Sequence, residues 1–181
     1  PGPRGGSGPV SLLLWEAWTY LQLPLLWWLF RRYAGRDVRG DLIAGSMLGV
    51  FMEFATEPLW DYHFRLTIYK DVPLSVVTSW GVMYTLVVFV SEKAYFRLFD
   101  KREVAPGDKR IFLCDLVCGL LVGVPMEWVG LKTGIWTYRY DRLGWDWGMV
   151  PLLGMPWESI FGYALMMLTA PTFVRYWEGS F

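Results

Sequence analysis

Five glutamates stand where carboxylates are rarely left unattended. Glu16, Glu53, Glu57, Glu127 and Glu158 each fall inside a long apolar run that holds no Lys or Arg. A charged carboxylate in hydrocarbon is costly, so such a group faces a bundle interior, stays protonated or finds a partner. Glu53 and Glu57 are four residues apart and share one helix face. Glu158 follows Pro156-Trp157, and the proline leaves a backbone carbonyl free nearby. A neutral carboxylic acid can protonate an alkene. The carbocation so formed needs shelter from water and the π-faces of aromatic rings. A second carboxylate can then remove a proton and end the reaction. Such chemistry requires no metal and no cofactor. The plainer alternative is that these acids hydrogen-bond Trp, Tyr and backbone groups and so lock a helix bundle.

Other chemistries fail on inventory. Histidine-rich di-iron sites and bis-histidine haem need several His, and His63 is the single one in the chain. A retinal Schiff base needs a lysine within an apolar run, and none holds one. Asp37, Asp41, Asp61, Asp71 and Asp115 are too scattered to form a Mg²⁺–diphosphate motif. Cys114 and Cys118 share a helix face but lack further zinc ligands, which favours core packing. His63, beside Asp61 and Tyr62 at the end of a run, reads as an interfacial polar residue.

The elements that must carry these acids follow from composition. Of 181 residues, 54% are hydrophobic and 18% aromatic, more apolar surface than a soluble core of this size can bury. Lys+Arg and Asp+Glu balance at 17 each, so no bulk charge points to nucleic acid. Five apolar runs approach the roughly 20 residues that a helix needs to cross a bilayer: Val10–Phe30, Leu42–Trp60, Val72–Val90, Ile111–Gly130 and Val150–Val174. Every cation lies between or beyond them, whereas a soluble bundle would place Lys and Arg on the wet face of each helix. The expected fold is therefore all-α, a polytopic membrane bundle of about five transmembrane helices. The first and third gaps with the C-terminus carry eleven Lys/Arg, and the other side carries six. That asymmetry predicts an N-terminus outside and a C-terminus in the cytoplasm. Trp15, Trp27, Trp28, Trp60, Trp128 and Trp177 near run ends read as an interfacial belt. Residues 1–9, rich in Gly and Pro, read as a flexible tail, and residues 10–181 as one transmembrane domain beginning with a retained anchor.

Within that domain the chain repeats itself. Asp41-Leu42-x-x-Gly45-x-x-x-Gly49-Val50-x-Met52-Glu53 recurs at an offset of 74 as Asp115-Leu116-x-x-Gly119-x-x-x-Gly123-Val124-x-Met126-Glu127. The likeness continues with small gaps through Trp60-x-Tyr62 and Trp136-x-Tyr138, then Val72-Pro73-Leu74 and Val150-Pro151-Leu152. A duplicated two-helix unit is expected, with copies over 41–90 and 115–174. Both copies start on one side of the membrane, which makes them parallel repeats with a site between the halves. Glu127 is the counterpart of Glu53. The Gly45/Gly49 and Gly119/Gly123 pairs are expected to pack the two copies together. Asp41 and Asp115 are expected to cap helix starts.

The second copy resembles the lycopene cyclase domain family, small integral-membrane carotenoid cyclases with related carotenoid hydratases. The resemblance rests on Glu127-Trp128-x-Gly130-x-x-x-Gly134-Ile135-Trp136-Thr137-Tyr138 and on Gly154-Met155-Pro156-Trp157-Glu158-Ser159-Ile160-Phe161-Gly162-Tyr163. It covers about Asp115–Pro171, and reaches 41–90 only through the duplication. Glu158 matches the first acid of the family's Pro-x-Glu-Glu motif, and Glu127 the acid before its G-x-W turn. Ser159 stands where the second acid belongs, and the first copy has Thr78-Ser79-Trp80-Gly81 at the corresponding place.

Two functions are thus expected of these residues. One is a cofactor-independent cyclase, isomerase or hydratase acting on a carotenoid or other isoprenoid polyene. In it Glu158 is the proton donor, Glu127 or Glu53 the base, and Trp136, Tyr138, Trp157 and Trp80, with Glu57 on the shared face, line the substrate. The other is a non-catalytic membrane subunit that binds a pigment, quinone or lipid within a homo-oligomer or larger membrane complex. Both place the chain in a membrane, the resemblance implying a bacterial inner membrane, and neither involves nucleic acid. The cyclase reading requires Glu127 and Glu158 to face one cavity.

Overall fold

The computed structural model of the chain describes residues 9–139, 142 and 144–179. The expected tail lies outside the described residues except for Pro9, which opens the first helix. The architecture is mostly helical. Helix α1 spans Pro9–Leu29 and runs into a π-helical turn, Phe30–Ala34. Helix α2 (Arg39–Thr56) ends in a 3₁₀ turn at Glu57–Leu59, followed by β1 (Trp60–Tyr62) and a hairpin of β2 (Thr67–Tyr69) and β3 (Val72–Pro73). Helix α3 covers Leu74–Phe99. The same order then recurs: α4 (Arg110–Thr133), β4 (Trp136–Tyr138), a hairpin of β5 (Met149–Val150) and β6 (Met155–Pro156), and α5 (Trp157–Glu178). Strand β1 pairs antiparallel with β4, setting Trp60 opposite Tyr138 and Tyr62 opposite Trp136.

Among the described residues, three helices are long and apolar enough to cross a membrane: Arg39–Leu59, Leu74–Phe99 and Arg110–Thr133. The outward faces are apolar as well. Leu14, Phe51, Leu121 and Leu165 are each two-thirds or more exposed, the distribution that a lipid environment tolerates and water does not.

The last apolar run is not one helix. Leu152 and Gly154 take positive φ and Pro156 is extended, so Val150–Pro156 turns back on itself as a hairpin before α5 begins at Trp157. The Val72-Pro73 pair does likewise at the head of α3. Hydropathy marks such runs as buried without telling strand from helix. This moves the equivalence between the halves. Pro73 and Pro156, each the last residue before a helix, correspond at an offset of 83, so Pro151 is not the counterpart of Pro73.

The glycine pairs close helices within each half rather than joining the halves. A Cβ on Gly45 would lie 2.8 Å from the Gly81 Cα, and one on Gly49 only 2.6 Å from the Val77 carbonyl, so α2 and α3 meet backbone to backbone. Gly119 and Gly123 similarly receive Met167 and Tyr163 of α5. Between these pairs lies a core of Ala44, Met83, Tyr84, Val87, Val88, Tyr163, Met167, Ala170 and Val174. Helix α1 packs outside, on α3, through Leu26, Phe30, Val38, Leu42 and Val82, with the Phe30 and Phe89 rings edge to face at 4.7 Å.

At the end of the bundle where α2 and α4 start, Asp41 and Asp115 do not serve as caps. Asp115 receives two hydrogen bonds from Arg175, at 2.6 and 2.7 Å, and Asp41 one from Arg36 at 2.8 Å. Glu92 joins the two, accepting from Arg36 at 2.7 Å and from Arg175 at 3.1 Å. Arg175 also donates to Ser91 and is wholly buried. A guanidinium with five fixed donors satisfies several acids at once, which a helix N-terminus cannot do.

Candidate functional site: acids in an aromatic cage

The opposite end, where α2 and α4 finish and α3 and α5 begin, gathers Glu53, Glu127 and Glu158, none of which forms an ion pair among the described residues. Glu53 sits on the last turns of α2, 2% exposed. Its Oε1 accepts from the Trp80 indole N–H at 2.6 Å and its Oε2 from the Tyr62 hydroxyl at 2.6 Å. Glu127, in the same place on α4 and equally buried, accepts from the Trp136 indole at 3.1 Å and from the Tyr138 and Tyr163 hydroxyls at 2.6 and 2.8 Å. Every donor is aromatic, and the β1–β4 pairing holds three of these rings, Tyr62, Trp136 and Tyr138, over the helix ends. Acids accepting hydrogen bonds on both oxygens are arranged as acceptors, the pattern suited to a base.

Glu53 and Glu127 line one small cavity of about 60 Å³, walled by Trp60, Tyr62, Trp80, Trp136 and Tyr163. Glu158 does not enter it. It lines a neighbouring cavity of about 150 Å³ that also reaches Glu53, Trp60, Trp80, Trp145 and Tyr163. The expectation that Glu127 and Glu158 face one cavity is therefore corrected: Glu53 faces both chambers, and the Trp80 and Tyr163 rings, stacked at 6.0 Å, form the wall between them. The hairpin that starts α5 at Trp157 puts Glu158 in the first turn, in a chamber that Glu127 does not line.

Glu158 differs from the other two in its partners. Its Oε1 accepts the backbone N–H of Trp147 at 2.8 Å. Its Oε2 is buried and has no hydrogen-bond partner among the described residues. A carboxyl oxygen left unpaired at a cavity wall is costly unless it carries a proton or meets a ligand.

Other expected site residues fall elsewhere. Glu57 is tied by Lys70 at 2.7 Å at the rim, lines neither chamber, and holds that ammonium above the usual lysine range. Glu16 accepts the backbone N–H groups of Leu66 and Arg65, fixing the loop after β1. Trp157 is 40% exposed on the outer surface and lines neither chamber. Trp136 and Tyr138 hold Glu127, whereas Trp60, expected in the interfacial belt, is a chamber wall. Arg139 closes the rim through Asp61 at 2.6 Å and Asp71 at 3.2 Å.

Tyr163 is the residue that sequence reasoning missed. Its signal is the offset of 83: it stands seven residues after Pro156, as Trp80 stands seven after Pro73. Each donates to the acid of its own half. Among the described residues no cluster of three or more His, Cys, Asp or Glu has the arrangement to hold a metal ion. Comparison with protein-family models, curated proteins and solved structures finds no match.

Proposed function

We propose that the chain is a five-span membrane protein built from a duplicated two-helix unit behind α1, a divergent relative of the lycopene cyclase domain family. Its reaction is cofactor-independent acid–base isomerisation or hydration of an isoprenoid polyene. The observation that carries this is the unpaired, buried Oε2 of Glu158 in a chamber whose walls include the rings of Trp60, Trp80, Trp145 and Tyr163, with Glu53 lining the same chamber as acceptor.

Protonated Glu158 delivers its proton to a terminal carbon–carbon double bond, leaving the Glu158 carboxylate and a tertiary carbocation. The π-faces of Trp80 and Tyr163 stabilise that cation in a site closed to water. Attack by the next double bond closes a ring, and loss of a proton to Glu53 restores an alkene, so the sum is an isomerisation with no redox change. Capture by water instead gives an alcohol. At about 150 Å³ the chamber accepts the slender end of a chain. That restriction, with Ser159 where the family has a second acid, equally favours the second reading: a subunit that binds the end of an apolar molecule without converting it. The cation count supports an N-terminus outside and a C-terminus inside a bacterial inner membrane.

The test is expression in a host that accumulates lycopene, with chromatography of the pigments. A new cyclic or hydroxylated product, lost in Glu158→Gln and Glu53→Gln proteins that still fold, is the expected result. An unchanged pigment profile with the wild-type chain, alongside copurification of an intact apolar molecule, leaves the binding reading.

A further inference from the structure

The two chambers occupy equivalent places in the proposed duplication. The smaller lies in the α3–α4 seam and the larger in the α2–α5 seam, with Met126, Ser79 and Met83 of one answering to Met52, Gly162 and Met166 of the other. Helix α1 lies against α3, where Gln22 donates to the Ser79 hydroxyl at 3.2 Å. Among the described residues no helix packs on α5 as α1 packs on α3. A Cβ on Gly162 would meet nothing within 4 Å.

The open seam continues past the chamber. A second cavity, of about 120 Å³, shares Met52 and Met166 with it and runs between α2, α3 and α5 to Phe173, itself 39% exposed. Along α5, Glu158 to Phe173 is fifteen residues, about 22 Å at 1.5 Å per residue. The walls differ in kind from the neighbouring interfaces. Glycines bring α2 onto α3 and α4 onto α5 in close contact, leaving no space for a guest. The α2–α5 seam is lined instead by methionines, whose unbranched side chains repack easily around irregular shapes.

We propose that this seam is the lateral entrance and binding groove for a linear apolar chain, which leaves the bilayer between α2 and α5 and reaches Glu158 end first. The groove rests on the reading of the Glu158 chamber as a ligand site, but not on turnover there. The narrow, largely apolar course from Phe173 to Met52, with the Tyr84 and Thr169 hydroxyls as its polar lining groups, fits a hydrocarbon tail and offers no charged partner to a polar headgroup below the chamber.

The test is photo-crosslinking of the full chain in nanodiscs with a diazirine-bearing geranylgeraniol and, separately, a diazirine-bearing palmitic acid, with labelled peptides mapped by mass spectrometry. Label concentrated on the α2 and α5 segments around Met52, Met166 and Phe173 is expected. It should fall roughly tenfold in Gly162→Trp, equivalent to about 1.4 kcal/mol, and stay unchanged in Ser79→Ala. Gly162→Leu serves in its place if the tryptophan variant does not fold. Labelling by geranylgeraniol alone assigns an isoprenoid, and labelling by both probes assigns any linear chain; either supports the groove. Label spread evenly over all lipid-facing helices, or gathered on α1, overturns it. A Glu158→Gln protein that keeps the label separates the groove from the catalytic reading. The catalytic reading can fail with the label in place, and misplaced label sinks the groove whatever the turnover.

Discussion

The two ends of the helix bundle bury their acids in opposite ways. Where α2 and α4 begin, Asp41, Asp115 and Glu92 are held by the guanidinium groups of Arg36 and Arg175. Where the same helices end, Glu53 and Glu127 are held only by indole N–H and phenol O–H groups, and Glu158 keeps one oxygen unpaired, as Asp41 does beside its guanidinium partner. The first arrangement neutralises charge with charge and ties four elements together. The second surrounds carboxyl groups with aromatic rings and no cation. Buried acids alone therefore do not single out the candidate site in this chain; the nature of their donors does.

Loss of Arg175 should have the largest effect. In Arg175→Leu, Asp115 and Glu92 lose their shared partner while still buried, and removing one side of a buried pair costs about 3–5 kcal/mol. Thermal unfolding in mild detergent should show little folded protein, whereas a similarly low stability in Glu127→Gln would erase the distinction between the two ends. Next comes the close helix contact that sets the cage. Gly49→Ala drives a methyl group against the Val77 carbonyl and the Trp80 side chain, an overpacking cost of roughly 1–3 kcal/mol. Because Trp80 is displaced, tryptophan fluorescence should shift along with the melting temperature.

Smaller still is Tyr163→Phe. It removes one of three donors to Glu127 and keeps the ring between the chambers, so about 1 kcal/mol of stability should be lost. A loss as large as that of Arg175→Leu would place Tyr163 in the structural class. The least effect belongs to Asp108, in the turn before α4. Hydrogen bonds from Arg110 and then from Tyr95 hold its carboxyl well below the usual carboxylate range. Its contribution is present above the unfolded carboxylate value near pH 4 and is lost as the pH falls toward the lower folded value. Being at the surface, it should weaken in salt, and Asp108→Asn should flatten the acid limb of an unfolding-against-pH curve without moving its neutral plateau.

Much of the cage was legible in the residues alone. Glu53 and Glu127 stood out through the repeated motif, and Trp60-x-Tyr62 and Trp136-x-Tyr138 recur with them, the tyrosine of each donating to the acid before it while Trp60 turns to Thr56 and Trp136 to Glu127. Trp80 and Tyr163 were harder to match, because one gives an indole and the other a phenol and the hairpins before them differ in length. The Arg175 cluster was hidden for a different reason. Arg175 lies at the end of an apolar run, where a cation ordinarily reaches the interface, and only the convergence of α3, α4 and α5 brings Ser91, Glu92 and Asp115 around it.

The sequence by itself determined the helical class, the gaps between long apolar segments, the repeated acid and its local aromatic donors. These depend on composition and on spacings of a few residues, which a chain carries whatever its packing. Only the tertiary structure decided which acids share a chamber, that Glu158 and Glu127 line different ones, and that Gly162 leaves open space beside the Glu158 chamber. Those relations join residues far apart in the chain, and they depend on how glycine contacts, hairpins and the outer helix α1 fix the helices against one another.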